Sequence, residues 1–244
     1  MQIIFLGTNG WFDSPTGSTI CTLINAEGCH IILDAGNGIY KADSFVKDGL
    51  PVYLFLSHFH LDHIQGLHVL NKFSFSRLTI FGQQGTAERL DAIINEPYTV
   101  PLDRLPYPVT VRDLLPGRHS LPFSVECRFL VHASPCMGYR FQIEGKTVAY
   151  CPDTGVCESA ELLARGADLL IAECAHLPGE SNTAWPHLNP QDAAGIARRA
   201  GARRLALTHF DAGRYTSQQM REDALSGIEG VDAVAARDEM VLDI

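Results

Sequence analysis

With 244 residues, 46% of them hydrophobic and 19% charged, the chain has enough apolar material for one large domain over residues 1–244, which excludes a disordered or fibrous polypeptide. A formal net charge of −9 argues against the broad positive surface that a long nucleic acid requires, although a small anion fits wherever bound cations reverse the local field. The amino terminus has no basic lead or small-residue cleavage site, and no apolar run approaches the roughly 20 residues of a membrane span, so the cytoplasm is the expected location. The seven cysteines are odd in number, scattered and without a C-x-x-C pair, so no disulfide is expected.

The first third reads as three strands, "QIIFL", "TICTLIN" and "HIILD", each bounded by Gly, Asn, Asp or Pro. "NGIYKADSFVKDG" then spaces its apolar residues like a helix that stops at Gly49. A β-to-α alternation follows: strand "VYLFLS", helix "HIQGLHVLNKF", strand "LTIFG" and helix "GTAERLDAIIN". Proline-rich residues 97–122 read as loop plus one strand at "VTVRDLL". Next come strands "SVECRFLVH", "GYRFQIE" and "KTVAYC", the last two joined as a hairpin at Glu144-Gly145-Lys146. The final third alternates helix "SAELLARG", strand "DLLIAEC", helix "PQDAAGIARRAG", strand "RLALTHF", helix "TSQQMREDALSG" and a strand near "EMVLDI". Meanders followed by β-α units in both halves imply two sheets with helices on their outer faces.

The chemistry concentrates in "LSHFHLDHIQG", Leu56 to Gly66, where His58, His60, Asp62 and His63 follow a buried strand and precede a helix. A structural turn needs one cap, which Asp62 could supply, and has no use for three imidazoles. Imidazole and carboxylate without thiolate suit zinc, with manganese or iron as alternatives. One ion rarely takes four ligands from six adjacent residues, so the set divides between two ions and needs completing from elsewhere. His132, Asp153 and His209 each stand just beyond an apolar run, and strands of a common layer bring their ends to one edge. Taken singly, each of the three is more simply a loop histidine or a turn aspartate.

"HFHLDH", followed by His132, Asp153 and His209, resembles the metallo-β-lactamase superfamily, and "FLGTNG", "LDAGNG", "GYRF", "YCPDTG", "LLIAEC" and "LTHFDAGRY" are similar in order to its ribonuclease Z branch. The resemblance runs from Ile3 to about Tyr215. It implies an α/β fold, the αββα four-layer sandwich, with a dinuclear zinc site at one edge of the sheets: His58, His60 and His132 on one ion, Asp62, His63 and His209 on the other, and Asp153 bridging. It further implies that Glu173, ending "DLLIAE", and His187, in "WPHLNP", work as a pair. A carboxylate bonded to one imidazole nitrogen fixes the tautomer and raises the pKa, so the other nitrogen can give a proton to a leaving group. The alternative makes Glu173 a loop anchor and His187 a surface residue.

The expected activity is therefore zinc-dependent hydrolysis of a small or nucleotide-like phosphodiester, with a metal-activated water oriented by Asp62. Lactone, carboxylic ester or thioester hydrolysis on the same metal core is the alternative enzyme, although His132 stands in "VHASPCMGYRF" rather than the "G-H-[ST]-x-G" context of lactonases. A low-turnover metal-containing sensor or binding module is the alternative outside enzymes. Ribonuclease Z proteins carry a long tRNA-binding arm where this chain has a short hairpin, so full-length tRNA is a poor fit as a partner. A homodimer is expected from the resemblance alone. His176 competes with His187 for the donor role, whereas His30, His68 and His119 read as structural or exposed.

Overall fold

The computed structural model describes residues 1–47 and 49–244. Its first half contains β1 (Gln2–Gly7), β2 (Asn9–Gly10), β3 (Cys21–Asn25), β4 (His30–Leu33), β5 (Val52–Phe55), α1 (Leu61–Ile64), β6 (Leu78–Gly82), α2 (Thr86–Ile93) and β7 (Val109–Asp113). Then follow β8 (Gly117–Ser120), β9 (Ser124–Leu130), β10 (Cys136–Ile143), β11 (Lys146–Cys151), α3 (Glu158–Ala164), β12 (Leu169–Glu173), α4 (Pro190–Ala200), β13 (Arg204–Thr208), β14 (Phe210–Asp211), α5 (Gln218–Asp223), β15 (Asp232–Ala235) and β16 (Met240–Asp243). Two seven-stranded sheets result, ordered β16-β1-β3-β4-β5-β6-β7 and β15-β13-β12-β11-β10-β9-β8. Among the described residues no helix is long and apolar enough to cross a membrane.

Both faces of each sheet are covered, which explains why the central strands read as continuous apolar runs rather than alternating ones. Along β1, Ile3 and Phe5 enter the layer between the sheets, while Ile4 and Leu6 face the helical layer outside. β5 divides in the same way, with Tyr53 and Phe55 inward and Leu54 outward. From the second sheet, Val125, Tyr139, Phe141 and Ile171 fill the same inner layer, and Ala149, Leu170 and Leu207 meet α3 and α4 through Leu163 and Ile196. The layers are therefore α-β-β-α. Phe55 holds the inner layer together, with ring centroids 4.9 Å from Phe81, 5.2 Å from Tyr139 and 4.9 Å from Phe141. Truncating such a residue to alanine costs about 3–5 kcal/mol, so the strand that leads to His58 is a rigid mount.

Strand direction places the site. β4, β5, β6 and β7 run parallel, as do β11, β12, β13 and β15. β9 joins β11's direction through two antiparallel steps across β10. The carboxyl ends of β4, β5, β9, β11, β12 and β13 consequently share one edge. The β10–β11 connection is a two-residue turn with Glu144 at φ 53° and Gly145 at φ 73°, the twist-matching hairpin geometry that leaves no room for an inserted arm. α4 begins at Asn189, whose side chain accepts from Asp192 N–H at 2.8 Å, with Pro190 next and Gly201 closing the helix at φ 66°.

Several elements differ from the sequence expectation. Of the helix expected over residues 37–49, Asn37–Ser44 forms a 3-10 helix, and Asp48 lies outside the described residues. The expected helix from His63 is one α turn, α1, followed by a 3-10 helix over Gln65–Lys72. Gly66 packs there against the backbone of Gly36, where a Cβ would stand 2.2 Å from that carbonyl oxygen. Strands β8 and β15 carry no strand signal in the sequence: β8 is polar and mostly exposed, and β15 is four residues, "DAVA", too short and alanine-rich to show one.

Candidate metal centre

The loop after β5 carries His58 and His60, and α1 carries Asp62 and His63. His132 follows β9, Asp153 follows β11, and His209 follows β13 with its backbone held at φ 52°. All seven meet at the shared edge. One group brings His58, His60, His132 and Asp153 together, with ligand atoms within 4.8 Å of one another, and a second brings Asp62, His63 and His209 together on the same terms. Asp153 lies between them: Oδ2 is 3.8 Å from His58 Nε2 and 3.7 Å from His132 Nε2, while Oδ1 is 3.1 Å from His63 Nε2 and 3.3 Å from His209 Nε2.

The electrostatics differ between the groups. Burial pushes His58, His60 and His132 below the ordinary histidine value, leaving neutral imidazoles with a free lone pair. Burial acts the same way on His63 and His209, but there the nearby carboxylates outweigh it, Asp153 first, and both histidines titrate above their ordinary range. Burial opposes ionisation of Asp62 and Asp153 too, yet the surrounding imidazoles hold both well below the usual carboxylate range. His58 Nε2 and Asp153 Oδ1 are buried with no hydrogen-bond partner. A buried orphan of this kind costs about 1–3 kcal/mol; in the first group its convergence with lone pairs from neutral imidazoles fits a bound cation, and in the second a cation would take the place of the protons that His63 and His209 hold.

Beneath the cluster lies a carboxylate to which the sequence reading gave no role. Asp34, fully buried just after β4, accepts from Ser57 N–H at 2.7 Å on Oδ1. Its Oδ2 accepts from Ser57 Oγ at 2.8 Å, His63 Nδ1 at 2.8 Å and Tyr150 OH at 2.6 Å. With Nδ1 donating to Asp34, His63 turns Nε2 toward the cluster, the arrangement that makes an imidazole a directed ligand.

Glu173 and His187 form a second buried pair. His187 Nδ1 donates to Glu173 Oε1 at 2.7 Å, and Glu173 also accepts from Thr154 N–H at 3.0 Å and Ala175 N–H at 2.9 Å. Burial alone would lower the His187 pKa, but the Glu173 charge and hydrogen bond raise it to about 9. A ligand atom of His187 lies within 4.8 Å of those of Asp153 and His209, so the ring edges the second group. His176 is set behind it: its ring is 5.9 Å from that of His187, and its Nε2 is 3.3 Å from the Trp185 carbonyl. His30 bonds Asn25 Oδ1 at 2.7 Å at the amino end of β4, the end away from this edge, and His68 and His119 are held by the backbone carbonyls of Gln65 and Leu115.

The loop between β1 and β3 closes over Asp62, whose Oδ2 accepts from Trp11 N–H at 2.7 Å. Gly10 is required here, because a Cβ would stand 2.6–2.9 Å from the His209 ring atoms. From behind, Arg221 anchors the loop. Fully buried, its guanidinium donates to Thr8 Oγ1 at 3.0 Å, Thr16 Oγ1 at 2.8 Å and Asn9 Oδ1, and lies 4.8 Å over the Phe210 ring.

Known proteins share both this sequence pattern and this architecture. The family model described as Beta-lactamase superfamily domain matches residues 30–210. A ribonuclease Z of Methanosarcina mazei is 26% identical over 308 aligned residues, covering 100% of this chain and 98% of the relative. Among solved structures, the metallo-beta-lactamase fold protein YhfI of Bacillus subtilis superposes with a TM-score of 0.80 at 24% identity, covering 99% of this chain and 98% of that one. The short form of human tRNase Z gives 0.78 at 24%, covering 100% and 99%. On the match over residues 30–210 and the four-layer fold, the chain belongs to the metallo-β-lactamase superfamily.

Proposed function

We propose that this chain is a dinuclear zinc-dependent phosphodiesterase acting on a small or nucleotide-like phosphodiester. The observation that carries the reading is the buried Glu173–His187 pair, whose imidazole faces a His/Asp cluster divided into two groups about one carboxylate. His58, His60 and His132 would hold one ion, Asp62, His63 and His209 the other, and Asp153 both; manganese or iron could take zinc's place. Bound there, the ions would supply Lewis-acid polarisation of the phosphoryl group and activation of water.

The chain's own residues do the rest. Asp62, fixed by Trp11 N–H, orients the attacking water against phosphorus. His187 gives the proton on its free nitrogen to the departing alkoxide as the P–O ester bond breaks, and Glu173 stabilises the imidazolium before transfer. The two-residue β10–β11 turn supports a small substrate. So does the relative's alignment, which runs over 308 positions against 244 residues here, sequence that this chain lacks.

Metal analysis together with turnover of bis(p-nitrophenyl) phosphate, a lactone panel and precursor tRNA tests this. Two zinc ions per chain with diester hydrolysis is expected. Preference for lactones, metal without hydrolysis, or tight salt-sensitive binding of precursor tRNA with 3′ cleavage would each refute it.

A further inference from the structure

The chain has two tryptophans, and both stand in solvent beside the candidate metal centre. Trp11 is 71% and Trp185 is 52% exposed. Trp185 flanks the first group and the donor, its ring 6.2 Å from that of His132 and 5.7 Å from that of His187. At the other group, Trp11 gives its main-chain N–H to Asp62. The Trp185 indole therefore borders the cluster on one side, while on the other it is the Trp11 backbone that meets Asp62, with the Trp11 ring 5.1 Å from that of Phe12.

Neither is a loose surface residue. Trp11 holds a left-handed backbone at φ 74°, a conformation that bulky side chains avoid and that persists only where the surroundings impose it. Those surroundings are the Arg221 anchor behind the loop and the Asp62 bond in front. Trp185 is held by its main chain, with its carbonyl accepting from His176 and its N–H donating to Asn182 Oδ1 at 3.3 Å. The same loop is tied down by Asn189 Nδ2 donating to the Glu180 carbonyl at 2.7 Å and by the ion pair of Glu180 with Arg214. The fold thus fixes the backbone of two large aromatic residues while leaving their indoles uncovered, the opposite of what burial would favour.

We propose that Trp185 and Trp11 are stacking platforms for the nucleobases of a short nucleotide phosphodiester whose phosphate lies over the His/Asp cluster. The proposal rests on the phosphodiesterase reading and narrows its substrate to esters that carry a base one sugar away from phosphorus. Every nucleobase has a π face, so such a platform selects for a base without reading its identity. The net charge of −9 confines recognition to a few nucleotides, since a long strand would need phosphate contacts along its length. His176, outside the cluster, acquires a positioning role as the group that holds the Trp185 carbonyl.

The test uses the zinc-loaded protein, with adenosine 5′-monophosphate and ribose 5-phosphate as probes. Adenosine monophosphate should quench tryptophan fluorescence saturably. Trp185→Ala and Trp185→Leu should cut the affinity ratio of adenosine monophosphate to ribose 5-phosphate by roughly five- to 150-fold, the range for loss of one base–aromatic stack, while Trp185→Tyr retains most of it. Trp11→Ala should act on the corresponding ratio of kcat/KM for thymidine 5′-p-nitrophenyl phosphate over methyl p-nitrophenyl phosphate, or on the first ratio. If adenosine monophosphate does not bind, or neither tryptophan alters either ratio, the platform is wrong even though both esters are hydrolysed. If the affinity ratio falls but neither ester is hydrolysed, the platform stands and the phosphodiesterase reading fails.

Discussion

Replacing Asp34 with asparagine separates the support of the cluster from the cluster itself. The carboxylate accepts four hydrogen bonds in a site closed to water. An asparagine keeps its shape but turns one acceptor into a donor. Placed at Oδ1, the amide faces the Ser57 N–H, which cannot reverse; placed at Oδ2, it faces Ser57 Oγ, His63 and Tyr150 together. Hydrogen bonds to a buried charge are worth about 1.5–3 kcal/mol each, and breaking a buried ionic contact costs about 3–5 kcal/mol. At roughly 2–4 °C per kcal/mol for a chain of this size, the melting temperature in chelator should fall by roughly 6–20 °C. The deficit depends on pH with a definite sign. His63 is raised above its ordinary 6.5 by Asp153, Asp34 and Asp62 against the opposing effect of burial, so this pairing stabilises fully below the unfolded value and fades as pH rises through the folded one. Asp34→Asn should therefore lose most at acid pH. With the His63 tautomer no longer fixed, zinc affinity, read by competition with a chromophoric chelator, should drop about 10- to 100-fold. Tyr150→Phe removes one of the four bonds without touching a histidine, so it should lower the melting temperature alone. Zinc affinity within twofold of wild type in Asp34→Asn would refute the claim that Asp34 orients His63 for a metal.

Gly10→Ala drives a methyl group into the His209 ring; with fold retained, metal analysis should show weaker loading of the Asp62–His63–His209 group by about tenfold or more. His187→Ala should slow diesters with alkoxide leaving groups by about 10²–10⁴ and p-nitrophenyl esters far less; equal slowing of both would remove His187 from the donor role. Because His63 and His209 titrate above the ordinary range through Asp153 and its neighbours, zinc must expel their protons. Its affinity should rise with pH and its calorimetric heat should vary with buffer ionisation enthalpy, and a buffer-independent heat would contradict this.

The convergence of the His/Asp cluster was legible because four of its seven residues sit in six consecutive positions, and because parallel strands that end in a polar residue must deliver it to one edge. His132, Asp153 and His209 follow β9, β11 and β13 for that reason. The layer order followed from apolar runs, since a strand such as "VYLF" has no polar face to offer water. Asp34 had no such signal: an aspartate after "HIIL" reads as the first residue of a turn, and only the fold shows His63, Ser57 and Tyr150 converging on it. Arg221 was concealed by its type. Within "QQMRED" an arginine is expected in water, yet it is fully buried and bonded to residues more than 200 positions away.

Those long-range bonds separate the loops that carry the tryptophans from the residues that would hold the ions. The groups that would hold the ions come from the ends of packed strands, so altering one disturbs the core. The two tryptophans stand on loops tied to the core through side chains: Arg221 and Asp238 hold the loop of Trp11, with Asp238 accepting from Thr8 Oγ1 at 2.8 Å and Ser18 N–H at 2.7 Å, while His176 and Glu180 hold the loop of Trp185. Replacing the Trp185 indole changes what flanks His132 and His187 while leaving the loop in place, because the loop's attachment runs through its backbone and the anchoring side chains. On the stacking proposal, substitutions at positions 11 and 185 should therefore alter the preference for a base while metal loading stays unchanged.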